Sequence, residues 1–183
     1  YRIATVDLSR VPSLPSLTIQ QATAPAELLG FPVDFTNETS AHLAVGDVDG
    51  DGTDEVIVAS DEIYVWHHDG TELIDGDSNS QSLGPLTNLN TSFCPAGVVL
   101  AQLDDQPGKE IVVGDLGTTQ QIYVFRHDGS VLPGWPQSVA GQVGTDWNWA
   151  TPAVGDVDGD GDLEIVVNTL NGITWVWHAD GTE

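Results

Sequence analysis

Short apolar runs, separated by acidic or glycine-containing turns, recur along the chain and predict its elements. A Glu followed by three β-branched residues occurs at 55–58, 110–113 and 164–167, and a run rich in aromatic residues follows each copy at 63–66, 122–125 and 174–177. An Asp-Gly pair comes next in each case, at 69–70, 128–129 and 180–181. β-branched and aromatic residues favour strands, and Asp-Gly favours tight hairpin turns. The pattern therefore predicts antiparallel strands.

A further apolar stretch precedes each of these units, at 43–45, 98–100 and 152–154. One unit then consists of a strand, an acidic loop, a strand, a short turn, a strand, an Asp-Gly turn and a last strand. Four strands repeated with a period of about 50 residues indicate the blades of a β-propeller. We expect the large rings of the third strands to pack between neighbouring blades.

The repeat divides the chain into blades. We predict an all-β fold, a partial β-propeller of about three four-stranded blades, with blade one at 30–93, blade two at 94–140 and an incomplete blade three at 141–183. Residues 1–29 are predicted to be a linker or a strand from a neighbouring blade or domain. Propellers close with about four to eight blades, so we expect a fragment of a larger ring. The remaining blades would lie on the same chain or on another one.

Blades one and three contain nearly identical acidic loops. The loops run Asp-Val-Asp-Gly-Asp-Gly-Thr-Asp-Glu at 47–55 and Asp-Val-Asp-Gly-Asp-Gly-Asp-Leu-Glu at 156–164. Carboxylates at positions 1, 3, 5 and 9 suit Ca²⁺, which takes about six to eight oxygen ligands. The predicted ligands are these side chains and the carbonyl of position 7, namely Asp47, Asp49, Asp51, Thr53 and Glu55 in the first loop and Asp156, Asp158, Asp160, Asp162 and Glu164 in the third.

Other interpretations of these loops are possible. An EF-hand begins in the same way, but it requires a bidentate Glu at position 12, where this chain has Val58 or Val167 within an apolar run. Mg²⁺ tolerates a cage of several carboxylates less readily, and Zn²⁺ is disfavoured because neither loop contains Cys or His. An acidic turn without metal is a further alternative, which the presence of two copies in register disfavours.

The corresponding loop of blade two, at 102–110, departs from the pattern. Gln102, Asp104 and Gln106 occupy positions 1, 3 and 5, and Pro107 replaces the glycine of position 6. Two carboxylates are lost, and proline cannot adopt a positive φ. We therefore predict two Ca²⁺ sites in the chain and an empty middle loop. Packing and side-chain hydrogen bonds alone are expected to hold this blade.

Charge limits the partners that the chain can bind. There are 28 Asp and Glu residues against four Lys and Arg, which gives a formal net charge of −24. Such a field attracts cations and repels nucleic acids and anionic lipid headgroups. No apolar run reaches the length of a transmembrane helix. We expect no nucleic-acid partner and no membrane insertion.

The acidic loops also resemble a known family. Ala-Val-Gly-Asp-Val-Asp-Gly-Asp-Gly, present at 44–52 and 153–161, resembles the repeats of the FG-GAP/VCBS family, which includes the blades of the integrin α-subunit propeller and many bacterial secreted or surface proteins. The resemblance extends over about residues 30–183, and the middle loop departs from it at positions 1, 5 and 6. It implies a propeller of about seven blades with structural Ca²⁺ between the first two strands of a blade.

The sequence contains no clear catalytic motif, such as Gly-x-Ser-x-Gly or a phosphate-binding loop. The histidines beside the Asp-Gly pairs are expected to be hydrogen-bonded turn residues. We expect a non-catalytic, calcium-stabilised propeller module of a secreted or cell-surface protein that mediates binding or adhesion to a protein or glycan ligand. Two alternatives remain open: the propeller portion of a secreted enzyme, either a polysaccharide lyase or the accessory domain of a protease, and a structural subunit of an extracellular assembly or filament.

Overall fold

The computed structural model describes residues 30–31, 33, 41–76, 84–87, 95–115, 120–139, 151–169 and 172–183. Every regular element in these ranges is a β-strand. The same ranges contain no helix with the length and apolar character needed to span a membrane. The predicted linker or strand at 1–29 lies outside the described residues, so that prediction is untested.

The strands form three antiparallel sheets that follow one another along the chain. The strands are β1 (His42–Gly46), β2 (Glu55–Ala59) and β3 (Ile63–Trp66) in the first sheet, β4 (Pro95–Ala101), β5 (Glu110–Asp115), β6 (Gln121–Phe125) and β7 (Gln137–Ser138) in the second, and β8 (Ala153–Gly155), β9 (Glu164–Asn168) and β10 (Thr174–His178) in the third. Strands that are consecutive in the chain are neighbours in each sheet, as in the blades of a propeller.

The all-β prediction is confirmed, and the number of strands varies between sheets. The second sheet has the four predicted strands, whereas the described parts of the first and third have three each. In the first sheet, an isolated bridge between Trp66 and Glu72 continues the pairing beyond the third strand. Residues 77–83, which follow in the chain, lie outside the described residues.

The first two sheets pack face to face through alternate residues of their strands. We call the side of a sheet toward the preceding blade its leading face and the opposite side its trailing face. The trailing face of the first sheet and the leading face of the second form one buried cluster, which includes Ile57, Ala59, Ile63 and Val65 from the first and Val98, Ile111, Val113, Tyr123 and Phe125 from the second. Burial of this apolar surface is the main force that joins the two blades.

The second and third sheets are joined in the same way. Val112, Ile122 and Val124 from the trailing face of the second sheet cluster with Ile165, Val167 and Trp177 from the leading face of the third. Trp135 closes the edge of this cluster. Its ring meets that of Trp177 edge-on at a centroid distance of 6.0 Å, and its Nε1–H donates to the Ala179 carbonyl at 2.8 Å.

The third strands supply large rings to the leading face of every sheet. The stacked pairs lie at centroid distances of 5.5 to 5.9 Å and are Tyr64–Trp66, Tyr123–Phe125 and Trp175–Trp177. Residues two apart in a strand share a face, which explains the pairing. The predicted packing of aromatic third strands between neighbouring blades is confirmed for the second and third sheets.

We predict that Phe125→Ala destabilises the chain far more than Val176→Ala. Phe125 is fully buried between the first two sheets, whereas Val176 is exposed on the trailing face of the third. Removing a buried Phe side chain costs about 3–5 kcal/mol, and we expect Val176→Ala to cost less than half of that. Urea unfolding followed by tryptophan fluorescence would measure both losses. Equal losses would contradict the assignment of the core to the contacts between blades.

Candidate metal centres

The first acidic loop connects β1 to β2, and its backbone amides donate hydrogen bonds to its own carboxylates. Asp47 accepts hydrogen bonds from the Gly50 amide at 2.7 Å and the Gly52 amide at 3.1 Å. Both glycines have a positive φ, of 78° and 91°, which allows the tight turns that this wrapping requires. Asp49 accepts a hydrogen bond from the Asp51 amide at 3.0 Å. As a result, one carboxylate oxygen from each of Asp47, Asp49 and Asp51 lies within 4.8 Å of the others.

The exposed carboxylate of Asp51 receives two further hydrogen bonds. The Thr53 hydroxyl and the Thr53 amide each donate to Asp51 Oδ1 at 2.7 Å. These two bonds lower the pKa of Asp51 below its ordinary value, and the bond from the hydroxyl has the larger effect. Asp51 is therefore ionised at neutral pH, as a cation ligand must be.

The third acidic loop, between β8 and β9, repeats most of these hydrogen bonds and gathers a different set of carboxylates. Asp156 accepts from the Gly159 amide at 2.7 Å, Asp158 from the Asp160 amide at 3.1 Å, and Asp160 from the Asp162 amide at 2.9 Å. Carboxylate oxygens of Asp156, Asp158 and Glu164 converge within 4.8 Å. The Asp160 carboxylate is not part of that group, and its role as a ligand stays a prediction, as do those of the Thr53 and Asp162 carbonyls.

A buried glutamate at position 9 closes all three loops. Glu55, Glu110 and Glu164 are each at most 2% exposed. In each loop, Oε2 of this glutamate accepts the backbone N–H of position 2, at 3.0 Å from Val48, 2.6 Å from Leu103 and 2.7 Å from Val157. One oxygen of each glutamate is thus committed to the shape of the loop, and the other faces a residue at the end of the third strand or the loop carboxylates.

Sequence reasoning missed the side chain that faces this glutamate. His67 Nδ1 lies 3.4 Å from Glu55 Oε1, and His178 Nδ1 lies 3.2 Å from Glu164 Oε1. Both histidines also take part in the Asp-Gly turns through their backbone, as predicted. The missing signal was strand register, because β10 pairs with β9 such that His178 lies directly opposite Glu164.

Side-chain hydrogen bonds from a glutamine and an arginine hold the middle loop together. Gln102 donates its amide hydrogens to the Asp104 carbonyl at 2.7 Å and the Gln106 carbonyl at 2.6 Å. Arg126, the counterpart of His67 and His178, donates to Asp104 Oδ2 from Nη2 at 2.7 Å and Nε at 3.1 Å. These are side-chain hydrogen bonds of the predicted kind, and those from Arg126 also form an ion pair with the Asp104 carboxylate.

The pKa values of Asp104 and Glu110, two of the carboxyl groups of the middle loop, shift in opposite directions. Burial opposes ionisation of Asp104, yet the hydrogen bonds from Arg126 and the Gln106 amide hold its pKa below the ordinary value. Burial raises the pKa of Glu110, against the hydrogen bond from the Leu103 amide. Arg126 thus supports a charged Asp104, while the interior disfavours a charged Glu110.

The first and middle loops are interlocked. The Lys109 amide donates to the Asp47 carbonyl at 3.0 Å. A Cβ atom on Gly50 would lie 2.5 Å from Pro107 Cβ, and one on Gly108 would lie 2.2 Å from the Val48 carbonyl oxygen. No side chain fits at either contact, so the two backbones touch.

The third loop lacks such a neighbour in the described part of the chain. A Cβ atom on Gly159 or Gly161 would meet nothing within 4 Å. At position 2, Val157 is 60% exposed, whereas Val48 in the first loop is 1% exposed. The first acidic loop is therefore supported from outside, and the third depends on its own hydrogen bonds.

A search of curated proteins found no match. Among solved structures, the chain is similar to BBS1N in complex with ARL6DN, in crystals soaked with mercury (TM-score 0.49, 18% identity, 79% of this chain and 42% of that chain) or lead (0.49, 16%, 85% and 44%). It is also similar to the V. cholerae biofilm matrix protein Bap1 (0.32, 20%, 77% and 27%). The chain thus spans less than half the length of these proteins.

One family model matches the chain directly. The match covers residues 108–167, from the end of the middle loop through the second blade to the strand that follows the third loop. It therefore includes the complete third acidic loop and most of β9, and it ends before β10. The chain carries an FG-GAP-like repeat.

Proposed function

We propose that the chain is a non-catalytic, calcium-stabilised β-propeller module of a secreted or cell-surface protein, and that it binds a protein or glycan ligand in adhesion. The observation that carries this proposal is the convergence of three carboxylates in each of two loops in register, Asp47, Asp49 and Asp51 in one and Asp156, Asp158 and Glu164 in the other. Oxygen atoms at such short separations repel one another unless a cation lies between them.

Calcium is the cation that these donors favour. The triads of carboxylates offer only oxygen, which hard cations prefer, and Ca²⁺ accepts more ligands and less regular geometry than Mg²⁺. The chain carries a net charge of −24, which raises the local concentration of cations. The carbonyls of Thr53 and Asp162 would complete the ligand sets, with water in the remaining positions.

The exposure of the third loop supports a location outside the cell. A loop that is open to solvent and organised mainly by its own hydrogen bonds should bind Ca²⁺ weakly. Extracellular modules bind Ca²⁺ with dissociation constants of about 10⁻⁴–10⁻³ M and are filled there because calcium is abundant. Such a loop would remain largely empty at the low calcium concentrations of a cytosol.

A groove between the second and third blades is a candidate surface for the ligand. It has a volume of about 630 Å³ and is lined by Asp104, Asp105, Asp162, His178 and Asp180, among others. These groups accept hydrogen bonds from hydroxyls and attract basic side chains. Further blades are the other partners that we propose, since Leu43 and Val45 are exposed on the leading face of the first sheet while the equivalent Val98 is buried.

We predict that Ca²⁺ raises the melting temperature of the chain and that EGTA lowers it. Binding to the folded state alone stabilises it in proportion to the logarithm of ligand concentration. At about 100 times the dissociation constant, the gain per site is about 2.7 kcal/mol. Differential scanning calorimetry across a calcium titration would measure the shift. A melting temperature that is independent of calcium would contradict the proposed metal sites.

The two sites should be separable and unequal. Asp49→Asn and Asp158→Asn should each abolish one bound Ca²⁺, counted by calorimetric titration, whereas Asp104→Asn should abolish none. The ion that remains in Asp158→Asn should bind more tightly than the one that remains in Asp49→Asn, because Pro107 and Gly108 support the first loop. Equal affinities would show that contact with the middle loop does not preorganise the site.

A matched pair of glutamate substitutions distinguishes the two kinds of loop. Burial raises the pKa of Glu110, so the folded state favours its protonated form, and the stability linked to this group is lost as the pH rises through the folded pKa. Glu110→Gln resembles that form. It should therefore be more stable than the parent at pH 7, with a difference that vanishes below about pH 4, and should bind calcium normally.

Glu164→Gln should behave in the opposite way. Glu164 belongs to the triad of the third loop, and loss of its charge should weaken one calcium site at least tenfold. Urea unfolding at several pH values and calcium titration give both readouts. A loss of calcium binding in Glu110→Gln would contradict the assignment of the middle loop as empty.

Ligand binding is tested directly on glycan arrays and on arrays of cell-surface proteins. We expect binding in millimolar calcium that is lost in EGTA and reduced by Asp162→Asn and Asp105→Asn, which remove charge from the groove. Ligand binding that persists in EGTA would show that ligand recognition does not depend on the metal. Shortening of an acidic polysaccharide by the chain would instead favour the lyase alternative.

A further inference from the structure

The first blade brings a histidine nitrogen to its acidic loop. One ligand atom from each of Asp49, Glu55 and His67 lies within 4.8 Å of the other two. This group differs from the oxygen-only triad of Asp47, Asp49 and Asp51, although the two share Asp49. Its donors come from the loop, from the start of β2 and from the residue after β3, so the sheet fixes two of the three.

An unsatisfied oxygen faces this position. The Glu55 side chain is fully buried, and its Oε2 accepts the Val48 amide. Its Oε1 has no hydrogen-bond partner. His67 Nδ1 is 3.4 Å away, beyond the usual distance of about 2.7–3.2 Å for an N–H···O bond. A buried carboxylate oxygen without a hydrogen bond is costly, and a cation bound beside it would offset that cost.

The observed separation fits a metal bridge between the two atoms. In a tetrahedral zinc site the ligands lie about 2.0–2.2 Å from the metal, which places neighbouring ligand atoms about 3.4 Å apart. The distance between Glu55 Oε1 and His67 Nδ1 is 3.4 Å. Imidazole nitrogen together with carboxylate oxygen suits borderline divalent cations such as Zn²⁺ better than Ca²⁺, which takes oxygen ligands.

We propose that the first blade binds a second, borderline divalent cation such as Zn²⁺ through Asp49, Glu55 and His67, beside the calcium position and with the predicted calcium ligands Asp49 and Glu55 shared between the two ions. The His67 side chain is 27% exposed, which leaves room for a water ligand and a path for the ion. The proposal deepens the proposed function, because it rests on the same loop, but it requires a nitrogen donor that calcium does not need.

The other two blades lack this arrangement. In the third blade, His178 Nδ1 is within hydrogen-bonding distance of Glu164 Oε1, at 3.2 Å, so that oxygen already has a partner. The cluster there consists of Asp156, Asp158 and Glu164, without the histidine. In the second blade the equivalent residue is Arg126, a cation without a lone pair for a metal. Among the described blades, only the first is suited to this ion.

The test is a zinc titration of the chain in saturating calcium. Isothermal titration calorimetry should detect one Zn²⁺ per chain, with calcium retained as measured by atomic emission after dialysis against the same saturating calcium buffer. His67→Gln should weaken zinc binding at least tenfold and leave calcium binding unchanged, while the matched His178→Gln should change neither. Cobalt in place of zinc should give the visible absorption of a tetrahedral site in the parent and in His178→Gln.

Several results would overturn the proposal. Zinc binding of equal strength in His67→Gln would show that the histidine is not a ligand, and release of one Ca²⁺ for each Zn²⁺ bound would show that zinc merely enters the calcium cage. If His67→Gln does not fold, the cobalt spectrum of the parent decides, and a spectrum without tetrahedral coordination refutes the site. Failure of calcium to bind would refute the proposed function and leave the zinc result independent.

Discussion

The hydrogen bond from the amide of loop position 2 to the buried glutamate of position 9 is the interaction on which each blade depends. It is present in all three loops at 2.6–3.0 Å, including the loop that has lost the acidic pattern. It joins the start of the loop to the start of the second strand, which sets where the remaining carboxylates point. Because the glutamate is buried, its second oxygen must also find a partner, and the three blades meet this need differently.

The partner of that second oxygen distinguishes the blades chemically. In the third blade it is His178, at 3.2 Å, and in the first blade the corresponding His67 stays at 3.4 Å. In the second blade Arg126 occupies the equivalent place and binds Asp104, the one aspartate left at an inward position. A loop with its own guanidinium has less need of an external ion. The change from histidine to arginine therefore accompanies the loss of the carboxylates at positions 1 and 5.

The middle loop also supports the first acidic loop. Its proline and glycine contact the backbone of the first acidic loop, and the Lys109 amide binds the carbonyl of Asp47, a predicted calcium ligand. Pro107 fixes its own φ and lowers the freedom of the segment in the unfolded state. A loop that is rigid without metal thus supports one that is expected to be ordered by metal. Comparison of the three loop sequences identifies the middle loop only as a degenerate copy. Its contacts with the first acidic loop are visible only in the structure.

The strands and acidic loops could be predicted because their signals are local. The short apolar runs, the Asp-Gly pairs and the spacing of Asp47, Asp49 and Asp51 are each patterns within a few residues of sequence. The pairing of His67 with Glu55 and of Arg126 with Asp104 could not be predicted, because it depends on the register between strands and on residues 12 and 22 positions apart. Which residues lie opposite each other in two paired strands is known only from the structure of the hairpin.

The two outer faces of the three sheets, the leading face of the first and the trailing face of the third, differ in polarity. On the leading side, the first sheet exposes Leu43 and Val45, apolar residues whose equivalents in the second sheet are covered by a blade. On the trailing side, Thr174 replaces the fully buried isoleucines of the other two sheets, and its hydroxyl donates to Asn168. An apolar blade face would leave these polar groups without water. The leading face is therefore apolar where Leu43 and Val45 are exposed, whereas the trailing face combines the exposed Val176 with the polar pair of Thr174 and Asn168.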